Sequence, residues 1–112
     1  MTATYNLIVP QATTFKFQFQ IKQDSTPWNL NNYTATMTVR PFAGSTTTTL
    51  LATTANGKIV LDAINGRATV TFSASETNIA AETYMYDFVF NSGSVITRIL
   101  EGKFIVPAGV TV

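Results

Sequence analysis

Six carboxylates are the side chains here best suited to acid–base or metal chemistry: Asp24, Asp62, Glu76, Glu82, Asp87 and Glu101. Two of them side by side could share a proton or act as acid and base. Several together could hold a hard cation such as Ca²⁺. They are instead scattered singly, and none falls in a Ca²⁺-loop spacing, so they read as solvated surface charge. The sequence contains no histidine, which removes the commonest general base and the commonest transition-metal ligand. It contains no cysteine either, which removes thiol nucleophiles, thiolate zinc sites and disulfides. No nucleophile elbow, phosphate-binding loop or dinucleotide fingerprint occurs. The expectation is a non-enzymatic protein with no cofactor and no metal.

Binding is the chemistry that remains. Trp28 follows Pro27 and precedes amides at Asn29, Asn31 and Asn32. A tryptophan beside amides could stack on a sugar ring, with Asn29 beside it. The preferred expectation is that Trp28 closes one end of a core with Leu30 and Tyr33, since tryptophan in a small domain is usually mostly buried. Arg98 is expected to pair with Asp87 on the preceding strand. Arg98 and Glu101 cannot share a face of a regular strand, so a bulge is expected near Gly102. Asn32-Tyr33-Thr34 matches a glycosylation acceptor, read here as chance.

The two ends suggest contact with a neighbour. Leu7-Ile8-Val9-Pro10 and Phe104-Ile105-Val106-Pro107 are short apolar strands cut by proline. The tail from Ala108 to Val112 carries no charge. Apolar strand ends without charge invite pairing with another chain. Leu7, Ile8, Val9, Pro107, Val110 and Val112 are therefore the candidate interface. If the tail belongs to the core, the threonine face of Thr34, Thr36 and Thr38 takes its place.

The elements that would position these residues are strands. Phe15, Phe17, Phe19 and Ile21 alternate with Lys16, Gln18, Gln20 and Lys22. Successive strand residues face opposite ways, so one side is aromatic and the other polar. Tyr84, Tyr86, Phe88 and Phe90 make a second such face, expected to meet the first across a core. Tyr33 to Arg40 and Ala68 to Phe72 alternate likewise. Thr4 to Val9, Thr46 to Thr54 and Val95 to Val106 are further strands. Asn56-Gly57 and Asn65-Gly66 are hairpin signals, because such turns need positive φ. Ser73 and Glu76 fit a capping box, so one helical turn is expected over residues 76–80. Strands every eight to twelve residues or so, with turns between, predict a single antiparallel β-sandwich of about seven to eight strands.

Bulk composition agrees. The 112 residues suit one domain over positions 1–112. Charged residues make up only 12%, and the net charge is +1. That gives no field for nucleic acid and little to keep copies apart. Met1 is followed by neither a basic start nor a long apolar run, so no secretory signal and no membrane segment are expected.

Four stretches together resemble the small immunoglobulin-like virion proteins of tailed bacteriophages, similar in pattern to the amino-terminal domain of baseplate upper proteins. They are Ala3-Thr4-Tyr5-Asn6-Leu7 running to Gln11–Phe15; Trp28-Asn29-Leu30 running to Tyr33-Thr34-Ala35; Ser73–Thr77 running to Tyr84–Phe88; and Thr97–Val106. Within the second, the family typically has glycine where this chain has Asn32. The resemblance implies an immunoglobulin-like sandwich with no catalytic residue. It implies a structural part of the particle, located in the virion and assembled in the bacterial host cytoplasm. Tail, baseplate or fibre attachment is the favoured place, and capsid decoration the alternative. Implied partners are other virion proteins and copies of itself. A carbohydrate-binding adhesin centred on Trp28, with a host-surface glycan as ligand, is the reading of another class.

Overall fold

The computed structural model describes residues 3–23, 26–27, 29–93 and 95–107. These form eleven strands: β1 (Ala3–Thr4), β2 (Leu7–Ile8), β3 (Phe15–Gln20), β4 (Lys22–Gln23), β5 (Thr26–Pro27), β6 (Thr34–Arg40), β7 (Leu50–Thr53), β8 (Ile59–Asp62), β9 (Arg67–Phe72), β10 (Thr83–Ser92) and β11 (Val95–Ile105). One sheet runs β1-β11-β10-β6-β7, with β2 also on β11; a second runs β3-β9-β8; β4 and β5 make a small hairpin. Taking β1 and β2 as one interrupted strand and setting the hairpin aside, eight strands form the sandwich.

The long strands form where alternation predicts them. Along β10 the inward residues Tyr84, Tyr86, Phe88 and Phe90 are all buried, while Met85, Asp87 and Val89 face out. Phe19 of the second sheet meets Phe88 edge-on, with ring centroids 4.9 Å apart. Phe15 meets Phe104 in the same way at 6.2 Å. Such edge-to-face pairs add to the burial of the rings themselves. The two aromatic faces therefore close one core. Their depths differ: Phe15, Phe17 and Phe19 are only half-buried, because β3 is an edge strand of the smaller sheet.

Strand order makes the sandwich immunoglobulin-like. In that fold's lettering, β3, β9 and β8 are strands B, E and D, and β6, β10 and β11 are C, F and G. β7 extends the C side, as in variable-type domains. Tyr84, near the start of strand F, donates its hydroxyl to the carbonyl of Ala80 at 2.7 Å. That is the tyrosine corner of this fold. Antibody domains place a disulfide cysteine two residues on. Tyr86 stands there instead, buried, and donates to the Tyr5 carbonyl at 2.6 Å.

Several local expectations are corrected. The first strand is interrupted at Tyr5 and Asn6, and it pairs parallel, not antiparallel, with β11. There the Lys103 N–H is taken by the Asn6 side chain at 3.0 Å, replacing a ladder bond. Asn56-Gly57 does not make a hairpin, since β7 pairs with β6 and β8 with β9. The turn carries the chain from one sheet to the other. The Asn56 Oδ1 accepts the N–H groups of Thr53 and Lys58, both at 3.0 Å, and only Gly57 takes positive φ. Asn65-Gly66 does end a hairpin, with Asp62 opposite Arg67 across a longer loop. Thr46 to Thr49 stay out of β7, in which Leu50 faces in and Leu51 out.

No helix forms among the described residues. The capping box at Ser73 and Glu76 is made in both directions, at 2.9 and 3.3 Å. The turn then stops, because Thr77 is drawn inward. Its hydroxyl donates to the Thr13 carbonyl at 2.5 Å and accepts the Thr13 N–H at 2.9 Å. Those bonds hold the turn against the segment before β3, where Ala12 adopts φ 58°.

Candidate interaction surface

With its inner face in the core, the larger sheet turns one residue in two outward. The register of β6, β10 and β11 sets these outward side chains in rows across the strands. Arg40, Met85 and Lys103 form one row, and Thr38, Asp87 and Glu101 the next. Thr36, Val89 and Arg98 follow, then Thr34, Asn91 and Ile96. Leu51 and Thr53 of β7 continue the middle rows.

Arg98 shares this face with Glu101 because the pairing of β10 with β11 shifts between Phe88 and Val89. Leu100 lies opposite Phe88 and Arg98 opposite Val89, so Ile99 is the extra residue. The expected bulge therefore exists but sits at Ile99, three residues before Gly102. The expected pair also forms, with Arg98 Nε 3.3 Å from Asp87 Oδ2.

Asp87 and Glu101 lie directly opposite each other, an arrangement that costs stability when both are charged. Arg98 answers Asp87. Glu101 makes no ion pair among the described residues. A pocket of about 240 Å³ opens here, between these carboxylates, Arg40, Met85 and Phe42. Arg40 Nη1 donates to the Ser45 carbonyl at 3.2 Å and fixes the loop after β6. That loop holds Phe42 at the rim, 62% exposed. Among the described residues no three carboxylates converge.

Tyr86 underlies the pocket. Burial pushes its phenol up from 10.0 to about 12, with a further push from nearby Tyr5. A raised phenol favours the neutral folded form, so its contribution is complete below pH 10 and is lost as pH rises through about 12. Tyr84 shifts in the same direction, through burial and the charge of Glu82. Thermal stability is expected to fall between pH 10 and 12. Tyr86→Phe is expected to start about 1 kcal/mol lower, for the lost hydrogen bond, and to fall less steeply. A variant that declines as steeply as the parent would count against this role for Tyr86.

The residues expected at an interface are divided. Leu7 and Val9 face inward, 4% and 0% exposed, so this chain's own core already covers them. That corrects their assignment as interface residues; they sit inward beside Phe104 and Val106 because β2 pairs in register with β11. Ile8 faces out at 66% exposure, and Pro107 is exposed. Trp28, Val110 and Val112 lie outside the described residues. Asn29 is exposed, but its Oδ1 is engaged by the Asn31 N–H at 2.9 Å. The fallback residues Thr34, Thr36 and Thr38 do lie on the outer face. Phe42, Leu51, Met85 and Lys103 were not foreseen there. The strand alternation carried a signal for Met85; nothing local marked Phe42.

Comparison with protein-family models and with curated proteins finds no match to this chain.

Proposed function

We propose that this protein is a non-enzymatic structural subunit of a tailed-phage particle, placed in the tail or baseplate. It would contact its neighbours through the outer face of the larger sheet. The observation that carries the contact is that face itself. Threonines, Met85, Val89, Leu51 and Ile96 surround a few charges there, and no described element covers them. The particle assignment is supported by the ordered set of family-like stretches. Asn32, which stands where the family has glycine, adopts φ 66°. Asparagine tolerates that left-handed conformation better than most residues, so the departure from the family pattern keeps its turn.

Antibody against the purified domain tests the assignment on gradient-purified particles from the strain that encodes it. Regular label at the tail is the expected result. Label spread over the head would move the subunit to a decoration role. Antigen confined to the soluble fraction, with none on particles, would overturn the proposal.

A further inference from the structure

The charges on the outer face alternate by row. Arg40 and Lys103 make one row basic, and Asp87 and Glu101 make the next acidic. Outward rows are about 6.8 Å apart along the strands. Within the described chain the basic and acidic rows are not fully matched: Asp87 has Arg98, whereas Glu101 and Lys103 form no ion pair. We infer that two copies of this chain associate face to face through this sheet, the basic row of each lying on the acidic row of the other.

The pattern is self-complementary under one operation. A two-fold axis in the contact plane, parallel to the rows and midway between these two, sets Lys103 of one copy over Glu101 of the other. The same axis makes the reverse pair, as an isologous contact requires. It also carries the next row out, Ile8 and Ile105, over the apolar stem of the other copy's Arg98. Four of the eight large apolar residues exposed among the described residues, Ile8, Phe42, Leu51 and Ile96, border this face.

Size sets the strength. Five rows and four strand spacings span roughly 27 by 19 Å. Two copies would then bury about 1,000 Å², the low end for a specific interface. Association in the range of about 10–100 μM is expected. A contact that weak suits a subunit held by many neighbours. The inference rests on reading this face as the assembly surface.

Sedimentation velocity over a concentration series tests it. The parent is expected to dimerise reversibly, and to loosen in about 1 M salt, where screening shortens to about 3 Å. Lys103→Glu and Glu101→Lys are each expected to weaken self-association about tenfold or more, by setting like charges face to face. Mixing the two variants is expected to restore a dimer, since each then supplies what the other lacks. Circular dichroism confirms that both fold. A parent that stays monomeric to about 1 mM, or variants whose mixture associates no better than either alone, would overturn the inference. Its failure is separable from that of the particle assignment. Label on particles with no charge-swap rescue would reject this contact alone. A rescued dimer with no label on particles would reject the assignment alone.

Discussion

Replacing Phe88 with alanine is expected to cost about 3–5 kcal/mol, near the upper range for a core aromatic. Phe88 is fully buried in the middle of β10. Its ring meets Phe19 of the other sheet at 4.9 Å and Phe90 along its own strand at 5.4 Å, both edge-on. Strands on both flanks, β6 and β11, are paired to β10 and cannot collapse inward to fill the gap. A domain of this size has roughly 5–15 kcal/mol in total, so about a fifth or more of its stability would go. Phe17→Ala is the comparison. Phe17 is half-buried on an edge strand, although its ring lies 5.4 Å from Phe19 and 5.9 Å from Tyr5. It is expected to cost about half as much, since less area leaves water there. Urea unfolding of both variants decides the matter. Equal losses, or a larger loss at Phe17, would place the centre of the core under the smaller sheet instead.

That contrast marks what the sequence could and could not say. Alternation told which residues of β3 and β10 share a face, because strand geometry has a period of two whatever the surroundings. It did not tell depth, because depth depends on which strand ends up at an edge. The turn at Asn56-Gly57 failed for a related reason. Turn chemistry is local, and asparagine and glycine serve a crossing between sheets as well as a hairpin. Pairing partners are chosen by long-range register and by which faces must be buried. The interaction surface was half legible. Thr34, Thr36, Thr38, Met85, Asp87 and Val89 were visibly on outward faces. That Asp87 would lie opposite Glu101, with Arg98 on the same side, depended on where the bulge fell. A bulge near Gly102 was expected from the spacing of Arg98 and Glu101, but nothing in the residues between them fixed it at Ile99.

Gly102→Val is expected to detach the first strand and to cost at least about 4 kcal/mol. Gly102 is buried in β11, opposite Tyr86. A Cβ built there would run into the backbone carbonyl of Tyr5 and would come within 3.1 Å of Asn6 Oδ1. Neither neighbour can yield freely. The Tyr5 carbonyl accepts the Tyr86 hydroxyl at 2.6 Å, and Asn6 Oδ1 accepts the Lys103 N–H at 3.0 Å. Moving the segment breaks both bonds and lifts Leu7 and Val9 from the core, where each is buried. The N–H of Tyr5 bonds to the Glu101 carbonyl at 2.9 Å and that of Val9 to the Ile105 carbonyl at 2.8 Å. Both amides should exchange slowly in the parent and fast in the variant, while amides of β9 and β10 keep most of their relative protection. Gly57→Ala serves as the control. It meets no atom within 4 Å and pays only for its φ of +80°, about 1 kcal/mol. Gly102→Val with the stability of that control, and with Tyr5 and Val9 still protected, would show that the first strand can shift without loss. The close approach at Gly102 also bears on the outer face. Glu101 and Lys103 flank Gly102 on β11, so the contact that clamps the first strand also holds in register the two charges on which pairing of two copies depends.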